Sequence, residues 1–126
     1  MDQALERVRA GYEAFNRGDF DASAEFVHPD VVWNRVAEFE SPLQGREAVR
    51  ANMEPEVFSE QVSDIRETEI VGDCVLARVN FRARGAGSGI EMDDEAWHLW
   101  RIKDGMAIEF RYFDGREDAV TAARGS

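Results

Sequence analysis

Apolar residues recur along the first turns of the chain at helical spacing: Leu5, Val8, Tyr12 and Phe15 lie 3, 4 and 3 residues apart on one stripe. Gly18 follows as a left-handed stop, and Asp19 is placed to cap a second, short helix over roughly 20–27, with Phe20, Ala24 and Val27 on its inner face. His28-Pro29-Asp30 ends that helix, because proline disfavours helical geometry in the residue before it. Val31-Val32-Trp33-Asn34 reads as a strand from its β-branched and aromatic content. A loop over 37–45 holds Pro42 and Gly45, and a third helix over about 46–53 stops near Pro55.

From about residue 61 the pattern changes to strands. Segments 61–71, 74–84, 90–102 and 106–113 are separated by Gly72-Asp73, by the glycine-rich run 85–89, and by Lys103-Asp104-Gly105. Connections this short make neighbouring strands antiparallel, so the pattern predicts a meander. Residues 115–124 read as a last helical turn or a frayed tail. Within 90–102 one face carries Ala96, His98 and Trp100, and the other carries Trp97, Leu99 and Arg101. Both faces are largely apolar, which predicts burial on both sides. The helices can cover one. A second subunit is the simplest cover for the other, so a homodimer is expected.

At 126 residues the chain is long enough for one domain with its own core, without a disulfide or a metal. The single cysteine, Cys74, has no internal partner, and the first ten residues carry charge rather than a secretory apolar run; a cytoplasmic location is expected. No apolar stretch reaches the length of a membrane helix. The net charge of −11 opposes nucleic acid and anionic membranes as partners. His98 and the acidic run 91–95 do not make a metal site, since Asp94 and His98 stand about 13 Å apart along a strand. The run reads as a solvated strand end, and His28 as a turn residue.

Several segments, in their order, resemble the SnoaL-like family of the nuclear transport factor 2-like superfamily, the group of polyketide cyclases and ketosteroid isomerases. They are Phe15-Asn16-Arg17-Gly18-Asp19-Phe20, His28-Pro29-Asp30-Val31-Val32-Trp33, Gly45-Arg46-Glu47-Ala48-Val49 and Trp97-His98-Leu99-Trp100-Arg101-Ile102-Lys103-Asp104-Gly105, with Tyr112-Phe113-Asp114 after them. The resemblance implies an α+β fold in which a cone-shaped, curved antiparallel sheet wraps around the N-terminal helices (a cystatin-like α+β barrel) as one domain over 1–126. It also implies a dimer with an internal cavity. The family hosts several chemistries, so fold does not settle function.

The resemblance also marks departures. The aspartate base of the ketosteroid isomerases falls on Arg35, their protonated aspartate on His98, and their oxyanion tyrosine on Gly11, one residue and about 100° of helix away from Tyr12. Of the Asp-Arg-Asp set of the limonene epoxide hydrolases, the Arg falls on Val79, the first Asp on Phe81 and the last Asp on Arg111; Arg78-Val79-Asn80 imitates it one residue out of step, on the opposite strand face. Neither machinery is carried over.

What remains, as implied by the resemblance, is an aromatic cavity lined by Trp33, Ala77, Val79, Phe81, Trp100, Glu109 and Phe113, beside Tyr12. The catalytic candidates are His98, Arg111 and Arg35: a neutral imidazole to take a proton, and two guanidiniums to hold a carboxylate or an enolate oxygen. Each also has a purely structural reading, as a hydrogen-bonded core histidine or a paired arginine. Three functions fit: a cofactor-free isomerase, cyclase or dehydratase acting on a small apolar carbonyl compound, a ligand-binding module without chemistry, or an accessory subunit.

Overall fold

The computed structural model describes residues 2–34, 42–53, 58–85, 87 and 89–125. The N-terminal stripe forms α1 (Asp2–Asn16), after which Gly18 turns the chain at φ +82°. Asp19 caps α2 (Phe20–Ala24), its carboxylate accepting from the Ala22 N–H at 3.1 Å. Helix α2 is shorter than its apolar pattern predicts. His28, Pro29 and Asp30 lie not in a turn but inside β1 (Val27–Trp33), where the His28 Nδ1 accepts from the Asp30 N–H at 2.9 Å. Pairing is irregular between Val27 and Val32, and there a proline without an N–H is tolerated.

Next come β2 (Leu43–Gln44), in a stretch expected to be loop, and α3 (Arg46–Met53). The meander consists of β3 (Phe58–Val71), β4 (Cys74–Gly85), β5 (Glu91–Lys103) and β6 (Met106–Phe113). Asp104 and Gly105 both take positive φ, +55° and +77°, as a tight two-residue hairpin turn between β5 and β6 demands. The tail is a full helix, α4 (Arg116–Arg124).

The strands form one curved, unclosed sheet in the order β2-β1-β6-β5-β4-β3. Every neighbouring pair is antiparallel except β1 and β6, which run parallel. This is the expected α+β architecture, with the inner face turned toward α1 and α2. No helix among the described residues is long and apolar enough to cross a membrane.

Two cores follow from strand parity. On the inner face Val8 of α1 packs with Phe26, Val75, Trp100 and Phe110. On the outer face Leu76, Trp97 and Leu99 are covered by Ala119 and Ala123 of α4, with Cys74 buried among them. The outer face was expected to need a second subunit; α4 supplies that cover from within the chain. Toward the β4–β5 tip the same face is charged, with Arg78 bridging Glu67 and Glu95 and Arg82 paired with Asp64. Arg78 and Asn80 thus point outward and Val79 inward, as the parity argument requires.

One side chain holds α1 against the free edge of the sheet. The Asn16 amide donates to the Ser63 carbonyl at 2.9 Å and accepts from the Ser63 N–H at 2.8 Å, imitating a strand partner for β3. Asn16→Ala will therefore leave two part-buried backbone groups unpaired and cost about 2 kcal/mol, read as a lower urea midpoint at constant slope. A change of a few tenths of a kcal/mol would mean that water replaces the amide freely.

Candidate functional site

Between the inner face and α1 lies a cavity of about 400 Å³. Strand β5 supplies Trp100, His98 and Asp94 along one line, since residues two apart share a face. Strand β6 places Phe110 opposite Trp100 and Tyr112 opposite His98. Trp33 of β1 stacks on Phe110 with ring centroids 4.2 Å apart and meets Trp100 edge-on at 5.3 Å. Val79 and Phe81 of β4 and Tyr12 of α1 complete the wall.

Tyr12 is central to this arrangement. The Trp100 Nε1 donates to the Tyr12 oxygen at 3.0 Å, and that oxygen lies 2.6 Å from the His98 Nδ1. An indole N–H can only donate, so the phenol accepts there; its own proton has no acceptor among the described residues other than Nδ1, and the tautomer that accepts it satisfies every hydrogen of the chain. The network thereby assigns the neutral imidazole its hydrogen on Nε2. No buried side-chain nitrogen or oxygen among the described residues lacks a partner. The Nε2 position, unbonded among those residues, is therefore open to the cavity.

Burial makes both groups hard to ionise. It lowers the His98 pKa to about 4 and raises that of Tyr12 far above its ordinary value, the Trp100 hydrogen bond only partly offsetting the rise. Near neutral pH His98 is an uncharged N–H donor. The nitrogen lone pair that the sequence reading assigned to proton abstraction is occupied by Tyr12. The chemistry available at Nε2 is donation to a carbonyl or enolate oxygen.

The other expected site residues divide sharply. Tyr12, Trp33, Val79, Phe81, His98 and Trp100 line this cavity. Ala77 is buried opposite His98 on the same face. Glu109, Arg111 and Phe113 do not line it. Glu109 bonds to Arg101 at 3.0 Å on the outer face, Phe113 packs into the core under α4, and the Arg111 guanidinium lies 5.0 Å from the Phe113 ring. The cause is one residue. Lys103 pairs with Met106 and Ile102 with Ala107, but Arg101 pairs with Glu109, so Ile108 is extra and the register slips. An unbulged hairpin would set Arg111 opposite His98; the bulge substitutes Tyr112 and turns Arg111 outward. Arg35 lies outside the described residues.

Sequence reasoning missed Phe110, Tyr112 and Asp94. All five residues of the acidic run are exposed, as expected of a solvated strand end. Glu91, Asp93 and Glu95 point outward to Arg84, Asn80 and Arg78. Asp94, between them, lines the cavity. Tyr112 lies opposite His98, and burial together with the negative charges of Asp94 and Asp114 raises its pKa. Simple alternation along β5 carried that signal, because 94, 96, 98 and 100 share one face.

No curated protein matches this chain. Among solved structures, a nuclear transport factor 2-like protein of unknown function from Burkholderia pseudomallei superposes with a TM-score of 0.80, at 21% identity over 98% of this chain and 99% of that one. TerC, co-crystallised with polyporic acid, gives a TM-score of 0.77 at 20% identity over 98% and 99%. A protein with a ketosteroid isomerase-like fold from Catenulispora acidiphila, in complex with trimethylamine, gives 0.78 at 16% identity over 95% and 92%. At such identities the likeness is one of fold. The profile of the SnoaL-like domain, by contrast, matches residues 8–110, most of the sequence, and this chain belongs to the SnoaL-like domain family.

Proposed function

We propose that the cavity binds a small, largely apolar carbonyl compound and that His98 donates its Nε2 hydrogen to the carbonyl oxygen. The observation that carries this reading is the directed chain from Trp100 through Tyr12 to His98, which leaves one neutral donor facing an aromatic chamber. A preorganised N–H stabilises the oxyanion of an enolate more than the ground-state ketone, and that lowers the barrier to transferring an adjacent C–H proton to solvent water or hydroxide. The reaction class is therefore a cofactor-free isomerisation, cyclisation or dehydration by proton transfer. Two structural neighbours were crystallised with small molecules, one with polyporic acid and one with trimethylamine, which supports a small-molecule site and leaves the ligand's charge to this chain's own residues.

A second reading, a binding module without turnover, is favoured by one observation. The carboxylate that lines the described wall, Asp94, lies four residues from His98 along β5, about 13 Å between Cα atoms, too far to deprotonate a carbon beside a carbonyl held at Nε2.

The ketone 2-tetralone, whose C–H beside the carbonyl is acidic, separates the two. Catalysis predicts protein-accelerated hydrogen–deuterium exchange at that carbon, followed by NMR, and its loss in His98→Phe, which keeps the ring and removes the donor. Binding alone predicts saturable affinity, at least tenfold weaker in His98→Phe, without faster exchange. If 2-tetralone binds equally to both proteins, His98 is not the carbonyl partner.

A further inference from the structure

The cavity has a second polar end, and the charge of its described lining residues is of one sign. Asp94, an exposed residue, stands on the same wall as His98 but nearer the β4–β5 tip, beside the exposed Met92, whereas Tyr112 lies opposite His98. Each outward-facing carboxylate of the acidic run has a polar partner: Glu91 pairs with Arg84, Glu95 with Arg78, and Asp93 accepts from the Asn80 amide. Asp94 differs. Its carboxylate accepts from the Glu95 N–H at 3.0 Å, and it makes no ion pair among the described residues. No arginine or lysine occurs among the described residues that line the cavity. The guanidinium of Arg111, which would have reversed this balance, faces the other way because of the bulge at Ile108.

This one carboxylate stands opposite Phe81 on β4 and shares its cavity with several aromatic rings. Tyr112 and Phe110 flank His98, at centroid distances of 5.8 and 5.1 Å, and Phe81 lines the cavity as well. Aromatic faces attract an ammonium and repel a carboxylate, because the ring quadrupole is negative over its face. A net charge of −11 adds to the same preference at longer range. An anion in this cavity would meet Asp94 with no described cation to offset it.

Resting on the carbonyl reading of His98, we propose that the ligand is an elongated apolar compound with two ends, a carbonyl held by His98 and a cationic amine held by Asp94. The separation of the ends sets the shape. About 13 Å between the Cα atoms of residues 94 and 98, whose side chains leave one face of the strand, fits two linked rings and excludes a single small ketone as a ligand that touches both.

The test uses three compounds that differ at one position: 4-(aminomethyl)benzophenone, 4-(hydroxymethyl)benzophenone and benzophenone-4-carboxylic acid. Each is titrated into the full chain by calorimetry at pH 7, with the wild type, Asp94→Asn and His98→Phe. Asparagine keeps the acceptor for the Glu95 N–H and removes only the charge. We expect the amine to bind about tenfold or more tighter than the carboxylate, with the alcohol between them. The ratio should fall toward one in Asp94→Asn, whereas His98→Phe should weaken all three alike. Equal affinity of amine and acid, a preference for the acid, or a ratio unchanged in Asp94→Asn would overturn the proposal and leave the carbonyl reading standing. Loss of charge selection in His98→Phe would instead place the amine at the wrong end. If none of the three binds while 2-tetralone does, the two-ended ligand is wrong; if neither class binds, both readings fall.

Discussion

Ala119→Asp will unfold or severely weaken this protein, with an expected loss of about 3 kcal/mol or more. Ala119 is completely buried, and it faces Leu76, Trp97 and Leu99 across the outer side of the sheet. Ala119 and Ala123 are four residues apart on one face of α4, and their small side chains let the helix approach the sheet closely. An aspartate there must either shed its solvation or force the helix away, and departure of the helix exposes Trp97 and Leu99 to water. Thr121→Asp, at an exposed position of the same helix, is the control and should stay within about 0.5 kcal/mol of the parent. Urea denaturation distinguishes the two, and sedimentation at the same concentrations reports whether the uncovered face recruits a second copy. If both variants unfold at the parent midpoint, α4 does not cover the sheet in solution, and a second subunit is again the natural cover for that face.

Acid will destabilise the parent through His98 by about 3 kcal/mol between pH 6.5 and 4, and this part of the pH dependence will be missing in His98→Phe. Burial lowers the His98 pKa from 6.5 to about 4 in the folded protein. Between those values the unfolded chain binds the proton and the folded one resists it, so stability falls as the pH drops. Above pH 6.5 both states hold a neutral imidazole, and the full contribution is present. Below pH 4 both are protonated and the loss is complete. Melting temperatures of the two proteins, compared across this window, isolate the residue from the carboxylates, which titrate in both. Parallel curves would mean that the ring is hydrated in the folded protein, and the neutral-donor assignment at Nε2 would lose its basis.

The fold was legible in the sequence to a large extent because its signals are local. The stripe Leu5-Val8-Tyr12-Phe15, the glycine turns and the alternation in β5 each report the backbone within a few residues of themselves. Where local signals conflict, the reading failed. His28-Pro29-Asp30 looks like a turn, but it lies in a strand because parallel pairing with β6 outweighs it and the irregularity absorbs the proline. The helical character of residues 116–124 was only half visible. Their amphipathic face is made of alanines, which a hydrophobic pattern hardly registers, and the face becomes meaningful only against Leu99 and Trp97.

The candidate site follows the same division. From residue order alone, His98 and Trp100 share one strand face, Tyr12 rides the inward stripe of α1, and Trp33 belongs to an aromatic strand; all four reach the cavity. Family resemblance argued against Tyr12, because it stands one helical position from the expected tyrosine, yet its phenol is the link between Trp100 and His98. The choice of Phe110 and Tyr112 over Glu109, Arg111 and Phe113, the polarity of the Tyr12–His98 bond and the cover over the outer face were decided in three dimensions. The physical reason is that a period-two strand turns every side chain over for a single inserted residue, and Ile108 is such a residue. Whether a hairpin carries that residue depends on how the whole sheet bends to enclose its helices, an outcome that the pattern of residues along β6 does not contain.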